Sequence, residues 1–174
     1  MSLAEPASLR LLPGGPEVRL LDAREAGVDE RGLRAWARAE CNAAGGPHGS
    51  RSYRYPYALV ARHSDPVGVD IERIEPFDHA FLDSIRTHSE SLEPPAGAAT
   101  DQYLASLWSS KEALSKALGD ALTYDPRRLE SPIAWPKGRS GRWRAASVTV
   151  PAGYVAWLCW RLTDGRSGCP TGSR

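Results

Sequence analysis

Cysteine is scarce. Only Cys41, Cys159 and Cys169 occur in 174 residues. The number is odd and no two are spaced as a metal-binding pair. That argues against a disulfide framework or zinc site and for a reducing, cytoplasmic setting. Long apolar runs are missing too, so no membrane span is expected. Met1 to Arg10 lacks a basic stretch followed by an apolar core, so no signal peptide is expected. An excess of charge of one sign is also absent: 22 basic residues face 21 acidic ones, for a net charge of +1. No global field then favours nucleic acid or a membrane surface, and any anion site must be local. His48, His63, His79 and His88 have no metal-like spacing to another ligand and read as surface or turn residues. What remains is an ordinary soluble composition, 41% hydrophobic and 25% charged. The length suits one or two small lobes.

Residues 1–17 are rich in Pro, Gly and Ala and read as a loose arm. Val18 to Leu21 reads as a strand. Asp29 is an N-cap for a helix through Cys41 that buries Leu33, Trp36 and Ala37 or Ala39. Gly45, Gly46 and Pro47 break the chain. Tyr55–Val60 and Val67–Ile71 read as a β-hairpin turning at Ser64-Asp65-Pro66. A helix is expected over Pro76–Ser89 and a flexible loop over Ser91–Thr100. Thr100 or Asp101 then caps the best helix, which runs to Leu118 and stops at Gly119. Ala146–Val150 and Tyr154–Leu162 form a second β pair around Pro151-Ala152-Gly153. The tail after Thr163 reads as disordered. Strands and helices in this order give an α+β fold rather than an alternating α/β one. Two hairpins, each beside a helix, hint at two similar lobes.

Two constellations carry chemistry. In Gly68-Val69-Asp70-Ile71-Glu72, strand alternation puts Gly68, Asp70 and Glu72 on one face and Val67, Val69 and Ile71 on the other. Two carboxylates side by side repel unless a cation lies between them. Oxygen-only ligation suits Mg²⁺, which recruits substrate phosphates and water to complete its shell. Gly68 on that face leaves room for a ligand. Alone, the pattern also suits the exposed face of an edge hairpin. In Trp108-Ser109-Ser110-Lys111-Glu112-Ala113-Leu114-Ser115-Lys116, helical spacing aligns Leu104, Leu107, Leu114 and Leu118. Lys111 falls inside that stripe: either its stem packs there while its ammonium snorkels out, or the stripe is the wall of an anion-holding cleft. Glu112 and Lys116 border it, and by themselves also suit a surface ion pair.

Together these two stretches resemble the signature of the 4'-phosphopantetheinyl transferase superfamily, closest to its surfactin-synthetase-activating type. The family's G-[IV]-D-[IV]-E strand and, roughly forty residues later, W-x-x-KE-x-x-x-K helix both occur here, in order. The resemblance covers about Ser52 to Tyr124 well and the final hairpin loosely. It implies an antiparallel sheet packed on a long helix, a compact version of a pseudo-twofold two-lobe architecture. One domain over 1–174 is expected. It would comprise a shortened N-terminal lobe (1–65), a Mg/coenzyme A-binding lobe (66–163) and a disordered tail (164–174).

The activity implied is transfer of the 4'-phosphopantetheine moiety of coenzyme A to a serine of an acyl or peptidyl carrier protein, releasing 3',5'-ADP. Position by position, Asp70, Glu72 and Glu112 match Mg²⁺ ligands, and Lys111 and Lys116 match lysines on coenzyme A phosphates. Glu112 or a hydroxide of the metal's own shell would take the serine proton. Lys116 would stabilise or protonate the departing 3',5'-ADP. The 91–100 loop, or the helix before it, is the expected carrier dock. Fatty-acid, polyketide and nonribosomal-peptide carriers all fit, as does a monomer or small homo-oligomer.

The sequence also departs from the pattern. Where the family has S-H-S contacting coenzyme A, this chain has Ser52-Tyr53-Arg54. Tyr53 carries no charge at neutral pH. Arg51, Arg54 or Arg62 would have to supply it. The shortened N-terminal part lacks a family Gly-Lys-Pro step; Gly45-Gly46-Pro47 stands near that place. A non-catalytic carrier- or coenzyme A-binding accessory protein of the same fold is therefore the alternative. A Mg²⁺-dependent hydrolase of nucleotide pyrophosphates using the same acidic face is a more distant one.

Overall fold

The structure is a computed structural model and describes residues 7–10, 15–43 and 47–162. Its strands are β1 (Ala7–Arg10), β2 (Glu17–Asp22), β3 (His48–Arg54), β4 (Tyr57–His63), β5 (Val67–Arg73), β6 (Arg139–Ser140), β7 (Trp143–Ser147) and β8 (Tyr154–Arg161). The helices are α1 (Ala23–Ala26), α2 (Glu30–Asn42), α3 (His79–Ile85) and α4 (Thr100–Leu118). Three short 3-10 turns lie between Pro126 and Gly138. The fold is α+β, with antiparallel strands in two four-stranded sheets, ordered β1-β2-β4-β3 and β5-β8-β7-β6.

The layers follow from the strand pattern. In β4, Ala58 and Val60 meet Leu33, Trp36 and Ala37 of α2. Its alternate residues Tyr57, Leu59 and Ala61 join Val67, Val69 and Ile71 of β5 and Leu158 of β8 in a core between the sheets. On the far side, Ala113, Leu114 and Ala117 of α4 pack on Ala145 and Cys159. Strands this buried on both faces read as continuous apolar runs. Leu82 and Ile85 of α3 close over Leu104.

Several expectations are corrected. β4 and β5 do not form a hairpin: β4 pairs with β2 and β3, and β5 pairs with β8. The turn residues are real turn chemistry, but they carry the chain from one sheet to the other. The hairpin is instead β3–β4. The N-terminal stretch is not all loose, because β1 pairs with β2, Ala7 opposite Leu20. The helix expected over Pro76–Ser89 is only His79–Ile85, capped by Asp78 Oδ1 on the Phe81 N–H at 2.7 Å. Ala99, not Thr100 or Asp101, is the N-cap of α4, with no side-chain cap. Leu118 ends the α4 stripe exposed, at 42%. Asp29 does cap α2, accepting from Gly32 N–H at 2.7 Å. Gly119 ends α4 in the left-handed conformation, φ 86°. Gly45, Gly46 and the tail after Thr163 lie outside the described residues.

Candidate active site

β3 and β5 are the facing edges of the two sheets. No ladder joins them; two serines bridge the gap. Ser50 Oγ accepts the Val69 N–H at 3.0 Å, and Ser52 Oγ donates to Asp70 Oδ1 at 2.7 Å. α4 covers β5 at Gly68. A Cβ there would lie 1.9 Å from the Ala113 carbonyl oxygen and 2.5 Å from the Ala117 nitrogen. The glycine therefore admits the helix backbone, not a ligand as its place in the motif suggested. This close crossing brings the second half of α4 over Asp70 and Glu72, which are only 3% and 6% exposed.

A cleft of about 360 Å³ opens at this junction. Arg34, Arg51, Ser52, Tyr53, Arg54, Asp70, Glu72, Trp108, Glu112 and Lys116 line it. Lys116 Nζ lies 2.7 Å from Asp70 Oδ1 and 3.2 Å from the Val69 carbonyl. Arg54 grips both Glu72 oxygens, at 2.6 and 2.8 Å. Burial and then the Asp70 charge push the Glu72 carboxyl up to about 7, against the pull of Arg54. Burial also raises Glu112, while the hydrogen bond from Tyr124 opposes it. Tyr124 is pushed up in turn, by burial and by Glu112.

The fit to a divalent cation is mixed in form. Asp70 Oδ2 is buried and has no hydrogen-bond partner. Such an atom is costly unless something pairs with it. Yet among the described residues no three His, Cys, Asp or Glu side chains form a ready-made metal cluster. Arg54 holds Glu72 and Tyr124 holds Glu112, so the three expected ligands share one cleft without closing into a cage. This donor set suits an oxygen-preferring ion that takes a few carboxylate oxygens and draws the rest of its shell from substrate and water.

Seven of the eight residues expected in the site do line the cleft: Ser52, Tyr53, Arg54, Asp70, Glu72, Glu112 and Lys116. Lys111 does not. It is 0% exposed, and its ammonium is consumed by Glu90 at 2.5 Å and by the carbonyls of Ile85 and Pro126 at 2.5 and 3.0 Å. The apolar stripe that contains it faces the interior, so no phosphate reaches it. Arg34 and Tyr124 are the functional candidates the motifs did not mark. Arg34 comes from α2 and lies over the Tyr53 ring, 5.1 Å from its centre, while pairing with Glu30 at 2.7 Å. Its arrival at a cleft built on other elements was not readable from α2 alone. Trp108 lines the cleft with its indole set edge-on to Phe81.

The cleft thus sets three carboxylates against four basic side chains, Arg34, Arg51, Arg54 and Lys116, beside the acidic strand and the long helix. The chain belongs to the 4'-phosphopantetheinyl transferase superfamily, whose family model matches residues 66–155. It is similar to 4'-phosphopantetheinyl transferase psf-1 of Bacillus pumilus, at 34% identity over 80 residues. That match covers 44% of this chain and 34% of the relative, so it spans about a third of the relative's length. Among the described residues no helix is long and apolar enough to cross a membrane.

Proposed function

We propose that this protein transfers the 4'-phosphopantetheine moiety of coenzyme A to a serine of an acyl or peptidyl carrier protein, releasing 3',5'-ADP. The observation that carries this reading is the unpartnered, buried Asp70 Oδ2 in a cleft it shares with Glu72, Glu112 and Lys116. Asp70, Glu72 and Glu112 would hold Mg²⁺, which when bound offsets the charge of a pyrophosphate. The serine oxygen bonds to the phosphorus that carries the pantetheine arm. The bond from that phosphorus to the bridging oxygen breaks, and the electron pair leaves with 3',5'-ADP. Glu112 accepts the serine proton. Lys116, already aimed at Asp70, meets the phosphates and steadies the departing oxygen. Arg51 and Arg34 supply the cationic charge that Tyr53 lacks. The position of the cleft between two sheet edges supports a compact two-lobe architecture.

A specific observation keeps the accessory-protein reading in play. Arg54 claims both oxygens of Glu72, and Lys116 claims Asp70 Oδ1, so the charges are largely neutralised within the protein. One experiment separates the two. The protein is incubated with coenzyme A, Mg²⁺ and a panel of apo carrier proteins and read by intact mass. A gain of one phosphopantetheine arm, abolished by chelator and by Glu112→Ala, is the expected result. Coenzyme A binding without any gain on any carrier would leave the accessory protein.

A further inference from the structure

Glu112 and Lys111 are neighbours on α4, but their side chains serve different surroundings. The Glu112 carboxylate lies at the cleft and accepts a hydrogen bond from the Tyr124 hydroxyl at 2.5 Å, through Oε1. Tyr124 stands in the connection that follows α4, outside any strand or helix. That connection is tied on both sides of it. Upstream, the Asp120 N–H meets the Ser115 carbonyl at 3.0 Å, and the Tyr124 N–H meets the Asp120 carbonyl at 3.0 Å. Downstream, Lys111 Nζ donates to the Pro126 carbonyl at 3.0 Å. Lys111 is itself immobilised by Glu90 and the Ile85 carbonyl. Glu90 in turn accepts the Ser131 N–H at 2.6 Å, and Ser131 Oγ meets Ser110 Oγ of α4 at 2.6 Å.

We infer that Tyr124 is a positioning residue for the Glu112 carboxylate, held at its station by the buried Lys111 behind it. A helical glutamate has several rotatable bonds and gains nothing from pointing at one place in a wet cleft. A phenol fixed in space and bonded to one oxygen sets the plane of the carboxylate and leaves the other oxygen for the reaction. Partners of this kind orient the groups that meet substrate. The arrangement also explains why a lysine sits buried one residue before Glu112. It anchors the loop that aims its neighbour.

This inference rests on the transferase reading, and its test keeps the two apart. Wild type, Tyr124→Phe, Glu112→Ala and the double variant are compared by urea denaturation without metal. Wild type and Tyr124→Phe are also compared in transfer from coenzyme A to an apo carrier protein. Tyr124→Phe is expected to lower kcat about tenfold while KM for coenzyme A stays within about twofold. The denaturation midpoints are expected to be non-additive, because each single change removes the same contact. Additive midpoints, or an unchanged kcat in an active background, overturn the inference. If wild type modifies no carrier, the transferase reading falls, and the denaturation cycle alone decides whether Tyr124 holds Glu112.

Discussion

Lys111 and Lys116 lie five residues apart on one helix, and both are paired with a carboxylate. On the interior side, Lys111 has no exposed surface and spends all its capacity on Glu90 and two carbonyls. On the cleft side, Lys116 keeps 21% of its side chain exposed and touches Asp70 at the lip of a site. The same residue type, in the same motif, is a buried structural anchor in one place and a half-open cleft residue in the other. What separates them is about a hundred degrees of rotation per residue around α4, and what the fold packs against each side.

The comparison can be broken outright at the point both sides share. Gly68→Ala drives a Cβ into the Ala113 carbonyl, which sits on backbone that has nowhere to go. We expect a loss of about 4 kcal/mol or more, or no cooperative unfolding at all, in urea melts followed by circular dichroism. The interior side alone is tested by Lys111→Met. It strands the Glu90 carboxylate in the interior and should cost about 3–5 kcal/mol. Adding Glu90→Gln should recover part of that, because no buried charge is then left unpaired. Affinity for coenzyme A, measured by calorimetry on the folded fraction, should stay within about twofold.

The smallest structural effect belongs to the cleft side, and it sharpens the contrast. On the proposed transferase reading, Lys116→Ala should leave the protein folded at a smaller cost in stability, because Asp70 keeps the Ser52 hydroxyl as a partner, and weaken coenzyme A binding by about tenfold to a hundredfold, the worth of a charge-assisted contact. If Lys111→Met instead weakened binding as much as Lys116→Ala does, the division between the two lysines would be wrong.

Much of the site was legible beforehand because it lies on two regular elements. Strand alternation placed Asp70 and Glu72 together, and helix spacing placed Glu112 and Lys116 one turn apart. Lys111 was expected on phosphate and is paired in the interior instead, because periodicity tells which residues share a face, not whether that face meets solvent or protein. Ser52 was expected on coenzyme A; it lines the cleft while its hydroxyl holds Asp70. The false hairpin of β4 and β5 has a similar cause. Turn chemistry fixes that the chain bends, while the pairing partner is chosen by distant strands.

The sequence by itself determined the local periods: α2 and its Asp29 cap, α4 and its Gly119 stop, the acidic strand and the motif pair. Those rest on contacts between residues close along the chain. Only the tertiary structure decided that β3 and β5 meet edge to edge and that Gly68 lets α4 down onto β5. It also decided that Arg34 reaches the cleft from α2, and that Lys111 turns inward to hold the loop carrying Tyr124. Each of these joins residues far apart in sequence, where burial and the demand to pair every buried charge outweigh local preference.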